Sequence, residues 1–287
     1  MGAAHRLMSL LSRAIPGSRG RELRRRYRDL AWLREADVAF VSFPKSGRTF
    51  VRAMLARLYQ QQFGIDEREL LEFPTLLRAA RSVPRILFTH DGDAMRRPDK
   101  IVIDERAYSG RKVVLLARHP GDVVVSRYHH LKHRSRHPAR KRLAELPLDE
   151  FAWTEQGGIA SIVAFLNAWA ALSRKRSGIV VQRYEDFLAE PRESLRLLAG
   201  FVGLEATPDQ IADAADFAGI DKLKARERQG YFASDRLQVR AEGDPLSGKV
   251  RTGKAGGYRT SLSADNVQRI DDYIARRLDP LFGYSGC

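Results

Sequence analysis

Eight consecutive residues, Phe43-Pro44-Lys45-Ser46-Gly47-Arg48-Thr49-Phe50, carry the groups that an anionic ligand needs. They follow an apolar run and open a segment with helical spacing. Backbone N–H groups at a helix start point outward and favour an anion. Gly47 permits close approach of the backbone, Lys45 brings a mobile positive charge and Thr49 a hydroxyl. The lysine precedes the glycine, so the Walker A spacing is absent; this is a phosphate-loop relative and not the ATPase form. A glycine-containing turn with a solvated lysine would carry the same residues. Arg118 stands at the end of a second apolar run, where a guanidinium fork makes charge-assisted bonds to phosphate oxygens. Pro120 opens the next helix, so N–H groups and the helix dipole face the same anion, with Ser126 further along. His90 ends a third run, in Phe88-Thr89-His90-Asp91-Gly92. An imidazole ordinarily titrates near neutrality, which suits proton abstraction near pH 7. A lone histidine is as readily structural.

These residues need elements to position them. Val38 to Phe43 is rich in β-formers and stops at Pro44. Ile86–Thr89, Lys112–Ala117 and Gly178–Arg183 are three more apolar runs, ending at His90, Arg118 and Tyr184. Continuous apolar runs predict strands buried on both faces of a parallel sheet. Thr49–Phe63, Ile159–Lys175 and Glu193–Val202 carry helical spacing, and Ser263–Leu278 closes the chain with Ser263 as N-cap and Pro280 beyond its end. The alternation predicts an α/β fold: one domain, with a central, mainly parallel sheet flanked by helices on both sides. Ligands in such folds gather at the carboxyl ends of the strands, where all four candidate groups fall. Residues 223–258 read as a long polar loop.

Residues 1–36 read as an extension preceding a domain over 37–287. The extension holds nine arginines against Glu22, Asp29 and Glu35. Arg21 to Arg34 reads as a basic helix with Leu23, Tyr27, Leu30 and Leu33 on one stripe, either packed on the domain or lying on a membrane surface. Arg13 interrupts the short apolar stretch Leu7–Leu11, so no secretory signal is expected. The single cysteine, Cys287, excludes an intrachain disulfide or a cysteine-based metal site and favours a reducing, cytoplasmic setting, at the inner face of the membrane if the helix binds there. A net charge of +15 favours anionic partners, although no zinc-finger spacing or RNP-like run supports nucleic acid. His119, His129, His130, His133 and His137 have no cysteine among them and read as basic surface more than as a ligand set; no metal is expected.

The first loop resembles the [YF]-P-K-S-G-[TS]-[TS]-[WF] loop of cytosolic-type sulfotransferases that use 3′-phosphoadenosine 5′-phosphosulfate (PAPS). Phe43, Pro44, Lys45, Ser46, Gly47, Thr49 and Phe50 match; Arg48 departs, standing where a small hydroxyl residue is usual. Phe50 takes the place of a tryptophan and keeps an aromatic face for stacking. Arg118-His119-Pro120-Gly121-Asp122 through Ser126 and Tyr128 resembles the family's R-N-P-x-D-x-x-x-S-x-[YF], whose arginine and serine hold the 3′-phosphate. Tyr184-Glu185-Asp186 with Pro191 resembles the segment whose tyrosine approaches the adenine. Arg251-Thr252-Gly253-Lys254 to Arg259 resembles the late R-K-G loop that closes over the 3′-phosphate, with Thr252 in place of lysine. Phe217 and Ile220 are both candidate counterparts of the family's adenine-stacking aromatic.

The resemblance implies transfer of a sulfuryl group from PAPS to an acceptor hydroxyl or amine, leaving adenosine 3′,5′-bisphosphate (PAP). His90 would be the base and Lys45 the electrostatic catalyst on the bridging oxygen, restrained by Ser126 until acceptor arrives. Lys45, Ser46, Gly47, Arg48, Thr49, Phe50, Arg118, Ser126, Tyr184, Arg251, Thr252 and Gly253 would bind the nucleotide. Tyr128 to Leu143, in the position of the family's acceptor-side lid, holds six lysines and arginines, four histidines and no acid. A basic lid fits an anionic or carbohydrate acceptor, such as an acidic glycan or glycolipid. A phosphate-loop kinase or a non-catalytic binder of nucleotides or acidic polymers are the rival readings. Oligomeric state is open, a homodimer included.

Overall fold

Val, Ile, Leu and Phe crowd four short segments, and these become the strands of one parallel sheet. The computed structural model describes residues 27–92, 95–135, 142–233, 237 and 253–284. In chain order the elements are α1 (27–35), β1 (Val38–Ser42), α2 (Arg48–Phe63), α3 (Phe73–Arg78), β2 (Ile86–Thr89), β3 (Lys112–Ala117), α4 (Pro120–Arg134) and α5 (Leu148–Phe151). There follow α6 (Ile159–Lys175), β4 (Ile179–Arg183), α7 (Tyr184–Ala189), α8 (Pro191–Val202), α9 (Pro208–Phe217), α10 (Ile220–Arg228) and α11 (Ala264–Arg277). The strand order is β2-β1-β3-β4, every neighbouring pair parallel.

In β1, Val38, Ala39, Phe40, Val41 and Ser42 are all fully buried. Successive side chains on a strand point to opposite faces, so both faces of the sheet are covered. Each apolar side chain so buried contributes about 1.5–3 kcal/mol. Helix α2 packs with α8 and α9, while α4 packs with α6 and α11. The register pairs Val41 with Thr89, Ser42 with Leu116 and Ala117 with Arg183. The carboxyl ends therefore finish level, and the residues that follow each strand emerge along one edge.

Local chemistry sets the boundaries. Helix α2 begins after Gly47, whose φ of 85° an L side chain rarely adopts. Helix α11 begins where the Ser263 hydroxyl accepts from the Asn266 N–H, as its N-cap pattern predicts. The described part of the basic N-terminal segment docks on the domain: Leu33 is buried, Trp32 packs on Phe73, and Arg111 donates to the carbonyls of Leu33 and Arg34.

Four expectations change. Strand β4 is half-buried along its whole length, at an edge of the sheet where, among the described residues, no further strand pairs with it. Residues 223–228 belong to α10 and are not loop. Helix α9 goes unpredicted although Thr207-Pro208-Asp209-Gln210 forms a capping box, with proline at the first helical position. Tyr128 to Arg134, expected as lid, continues α4 without a break.

Candidate active site

The Pro44–Gly47 loop turns sharply. Lys45 sits at φ 80°, in the left-handed region, as does Gly47. A Cβ on Gly47 would lie 2.1 Å from the Tyr184 ring, so only glycine lets the loop rest on that ring. Phe50 meets the same ring edge-on at 6.1 Å, and the Arg118 guanidinium lies 4.6 Å from its centroid. Tyr184, at the end of β4, thus joins the phosphate loop to the end of β3. Burial pushes its phenol up, against the lowering influence of Arg118, and keeps it neutral. Arg118 Nη1 also donates to the Lys45 carbonyl at 3.2 Å, and Nη2 is 3.9 Å from the Asp122 carboxylate.

His90 is held from two sides. Its Nδ1 lies 2.7 Å from the Ser42 carbonyl and its Nε2 lies 2.8 Å from Arg48 Nη2. A carbonyl only accepts and a guanidinium only donates, so the partners assign the tautomer: Nδ1 carries the hydrogen and Nε2 the lone pair. Arg48 Nη1 donates to the Thr89 carbonyl at 2.7 Å. The guanidinium that departs from the loop pattern therefore spans from α2 to the end of β2. Asp91, at φ 53°, turns away and accepts from the Tyr108 hydroxyl at 2.6 Å. A cavity of about 70 Å³ opens beside Thr89, Asp91 and Gly92, with Leu30, Leu87 and Val102 among its apolar walls.

The start of α4 gathers groups whose partners are distant in sequence. His119 is its N-cap: Nδ1 accepts from the Gly121 N–H. The His119 ring is stacked on Tyr258 at 4.6 Å and is 7% exposed, and burial pushes its pKa down to about 4. It is neutral and internal, a correction to its expected place in a basic surface cluster. Asp122 accepts from the N–H groups of Gly256 and Tyr258 at 2.8 and 3.0 Å, fastening the late glycine loop onto α4. Gly121 has the Tyr258 ring against it, where a Cβ would meet it at 2.6 Å. Glu185 accepts from the His119 N–H and the Tyr284 hydroxyl. Asp122, Glu185 and Tyr258 had no role assigned from sequence, although each stands inside a recognised motif.

Among the expected nucleotide residues, Lys45, Gly47, Phe50, Arg118 and Tyr184 come together as described, Arg48 turns to His90, Ser46 and Thr49 belong to the same loop and helix start, and Ser126 lies on α4. Gly253 packs on Ile220, its ideal Cβ position 2.6 Å from that side chain. Phe217 is instead buried under the Arg226 guanidinium, 4.0 Å from its ring. Arg251 and Thr252 lie outside the described residues. Arg134 is buried and paired with buried Glu227 at 3.5 Å, so it is not part of a free basic lid. Among the described residues, no group of histidine, cysteine or carboxylate side chains could hold a metal ion.

A parallel sheet with a sharply turned glycine loop, an arginine and an oriented imidazole at its carboxyl edge has the parts that group transfer uses. The Sulfotransferase domain family model matches residues 35–282, and the chain belongs to that family. It is a sulfotransferase. It is 25% identical over 261 residues to flavonol 3-sulfotransferase of Flaveria bidentis, covering 84% of this chain and 81% of the relative. To sulfotransferase 1A1 of Canis lupus familiaris it is 24% identical over 260 residues, covering 85% and 83%. Its fold is similar to mouse sulfotransferase SULT7A1 complexed with PAP, with a TM-score of 0.58, 16% identity and coverage of 86% and 88%. It is also similar to retinol dehydratase in a complex with retinol and PAP, with a TM-score of 0.60, 16% identity and coverage of 85% and 82%.

Proposed function

We propose that this sulfotransferase takes its sulfuryl group from PAPS and that His90 removes the proton from the acceptor hydroxyl. The observation that carries the reading is the fixed imidazole: Nδ1–H is committed to the Ser42 carbonyl, which leaves the basic Nε2 beside the phosphate loop. The acceptor O–H proton passes to Nε2 as the oxygen attacks sulfur. The bond from sulfur to the 5′-phosphate oxygen breaks and PAP leaves. Lys45 stabilises the charge that grows on that oxygen. Such preorganised charge, with positioning, supplies most of the catalysis in related transfers.

The loop N–H groups, those of Gly47 and Arg48 included, hold the 5′-phosphosulfate with the Ser46 and Thr49 hydroxyls, and Phe50 and Tyr184 wall the adenine side. Arg118 and Ser126 hold the 3′-phosphate, and Arg251, Thr252 and Gly253 are its further ligands by the family resemblance. Support comes from Arg118 Nε, a buried donor with no hydrogen-bond partner among the described residues, which a phosphate oxygen would satisfy. Ile220, against Gly253, is the better counterpart for the adenine contact, since Phe217 is committed to the core. The acceptor is an anionic or heavily hydroxylated molecule, a reading supported by exposed Lys132 and Arg142 in the segment that the family resemblance makes the acceptor-side lid. A cytoplasmic setting is supported by relatives such as cytosolic sulfotransferase 13 of Arabidopsis thaliana, 24% identical over 270 residues; no described helix is long and apolar enough to cross a membrane.

His90→Ala tests the base. Turnover falls by about 10²–10⁴-fold, the usual contribution of a positioned general base. PAP binding by calorimetry is unchanged. Near-normal turnover would remove His90 from the reaction.

A further inference from the structure

Arg48 is the one residue of the phosphate loop that departs from the family pattern, and its guanidinium lies on the base. Nη1 is anchored on the Thr89 carbonyl at 2.7 Å, and Nη2 lies 2.8 Å from His90 Nε2. With Nδ1–H donated to Ser42, Nε2 has a single in-plane lone pair, and Arg48 occupies it. While it does, His90 cannot accept a proton from anything. We propose that Arg48 is a positioning residue that caps the catalytic base, so that PAPS is cleaved only when a bound acceptor displaces the cap. The proposal rests on His90 being the base.

The discrimination follows from size. A hydrogen bond donated by a charged group holds Nε2 closed by about ten- to a hundredfold in occupancy. An acceptor binds through many contacts remote from its hydroxyl, and that binding energy drives Arg48 off Nε2. Water has no such contacts. Without the cap, water takes the place of the acceptor: its proton passes to His90 Nε2, its oxygen bonds to sulfur, the bond from sulfur to the 5′-phosphate oxygen breaks, and sulfate and PAP form. Arg48 is partly exposed, so its side chain has room to withdraw. A small hydroxyl residue at this position could not reach the end of β2 from α2, so this closure belongs to the arginine.

The test needs no acceptor. PAPS at saturating concentration is incubated with the protein alone, and release of PAP and sulfate is followed for the wild type, Arg48→Ala, Arg48→Lys, His90→Ala and the Arg48→Ala/His90→Ala double variant. Calorimetry with PAP measures nucleotide affinity in each. Arg48→Ala cleaves PAPS about ten- to a hundredfold faster than the wild type. Arg48→Lys, which keeps one charged donor, is intermediate, and the double variant loses the gain. A merely structural arginine would slow cleavage when removed. Cleavage in Arg48→Ala that is unchanged or slower at saturating PAPS overturns the cap, as does a gain that survives in the double variant. Failure of the base assignment is read separately, from near-normal sulfuryl transfer by His90→Ala.

Discussion

The Arg118 guanidinium is placed before any nucleotide arrives. The Tyr184 ring lies beneath it, the Lys45 carbonyl accepts from Nη1, and Asp122 stands 3.9 Å away. A fork held this way loses little freedom on binding phosphate, which a lysine in its place would not match. Arg118→Ala and Ser126→Ala should therefore weaken PAP by about one to two decades, the worth of a charge-assisted phosphate contact at 1.5–3 kcal/mol. Adenosine 5′-phosphate, which lacks the 3′-phosphate, should lose far less. Equal losses for both nucleotides, measured by calorimetry, would reject the assignment. The residues that sequence reading found here are those whose chemistry is local. Lys45, Gly47 and Arg118 stand beside the turn or helix start that gives them meaning. Asp122 was missed because its partners, Gly256 and Tyr258, come more than 130 residues later. The Arg48 contact was missed for the same reason: His90 follows 42 residues on.

Helix α4 ties its own stability to pH through its first residues. His119 stands where the family pattern has asparagine, caps the helix as a neutral acceptor, and is stacked on Tyr258. Burial, its largest influence, pushes its pKa down to about 4 from an ordinary 6.5, against the raising effect of Asp122. As pH falls below 6.5, the unfolded chain takes up this proton and the folded chain does not. Stability is thus full above pH 6.5 and declines toward pH 4, by about 3 kcal/mol at most for this one group. Below pH 4 both states are protonated and the loss stops growing. Melting temperature should drop between pH 7 and pH 5 in the wild type. It should drop less in His119→Asn, whose side chain caps the helix at any pH. Parallel pH curves for the two proteins would contradict this role. At this scale the strands were legible because buried parallel strands are written as unbroken apolar runs. The loop expected over 223–258 was wrong at its start because Leu223 is the one apolar residue that α10 buries in that stretch, too sparse a pattern to signal a helix.

The whole molecule carries a net charge of +15. Part of the expected basic lid is already neutralised, since Arg134 is buried against Glu227. Lys132 and Arg142 of that segment are exposed, whereas Arg136 and Arg140 lie outside the described residues. Attraction between exposed charges fades with salt over about 8–10 Å at physiological ionic strength. For an anionic acceptor, KM should rise with ionic strength, and rise less when Lys132 and Arg142 are neutralised. A neutral acceptor with a salt-insensitive KM would remove the charge argument and leave the nucleotide site untouched. The cavity beside Asp91 was not legible in the sequence because it is assembled from separated segments: α1, the end of β2 and the stretch before β3 all border it. The most direct measurement of the central claim is the reaction itself. The protein is incubated with PAPS and a panel of hydroxyl and amine acceptors in the presence of a metal chelator, with product mass and PAP both quantified. One added sulfuryl group per PAP released, without divalent metal and abolished by His90→Ala, is the predicted result. A phosphorylated product formed from ATP only when magnesium is supplied, with no sulfated product from PAPS, would contradict it.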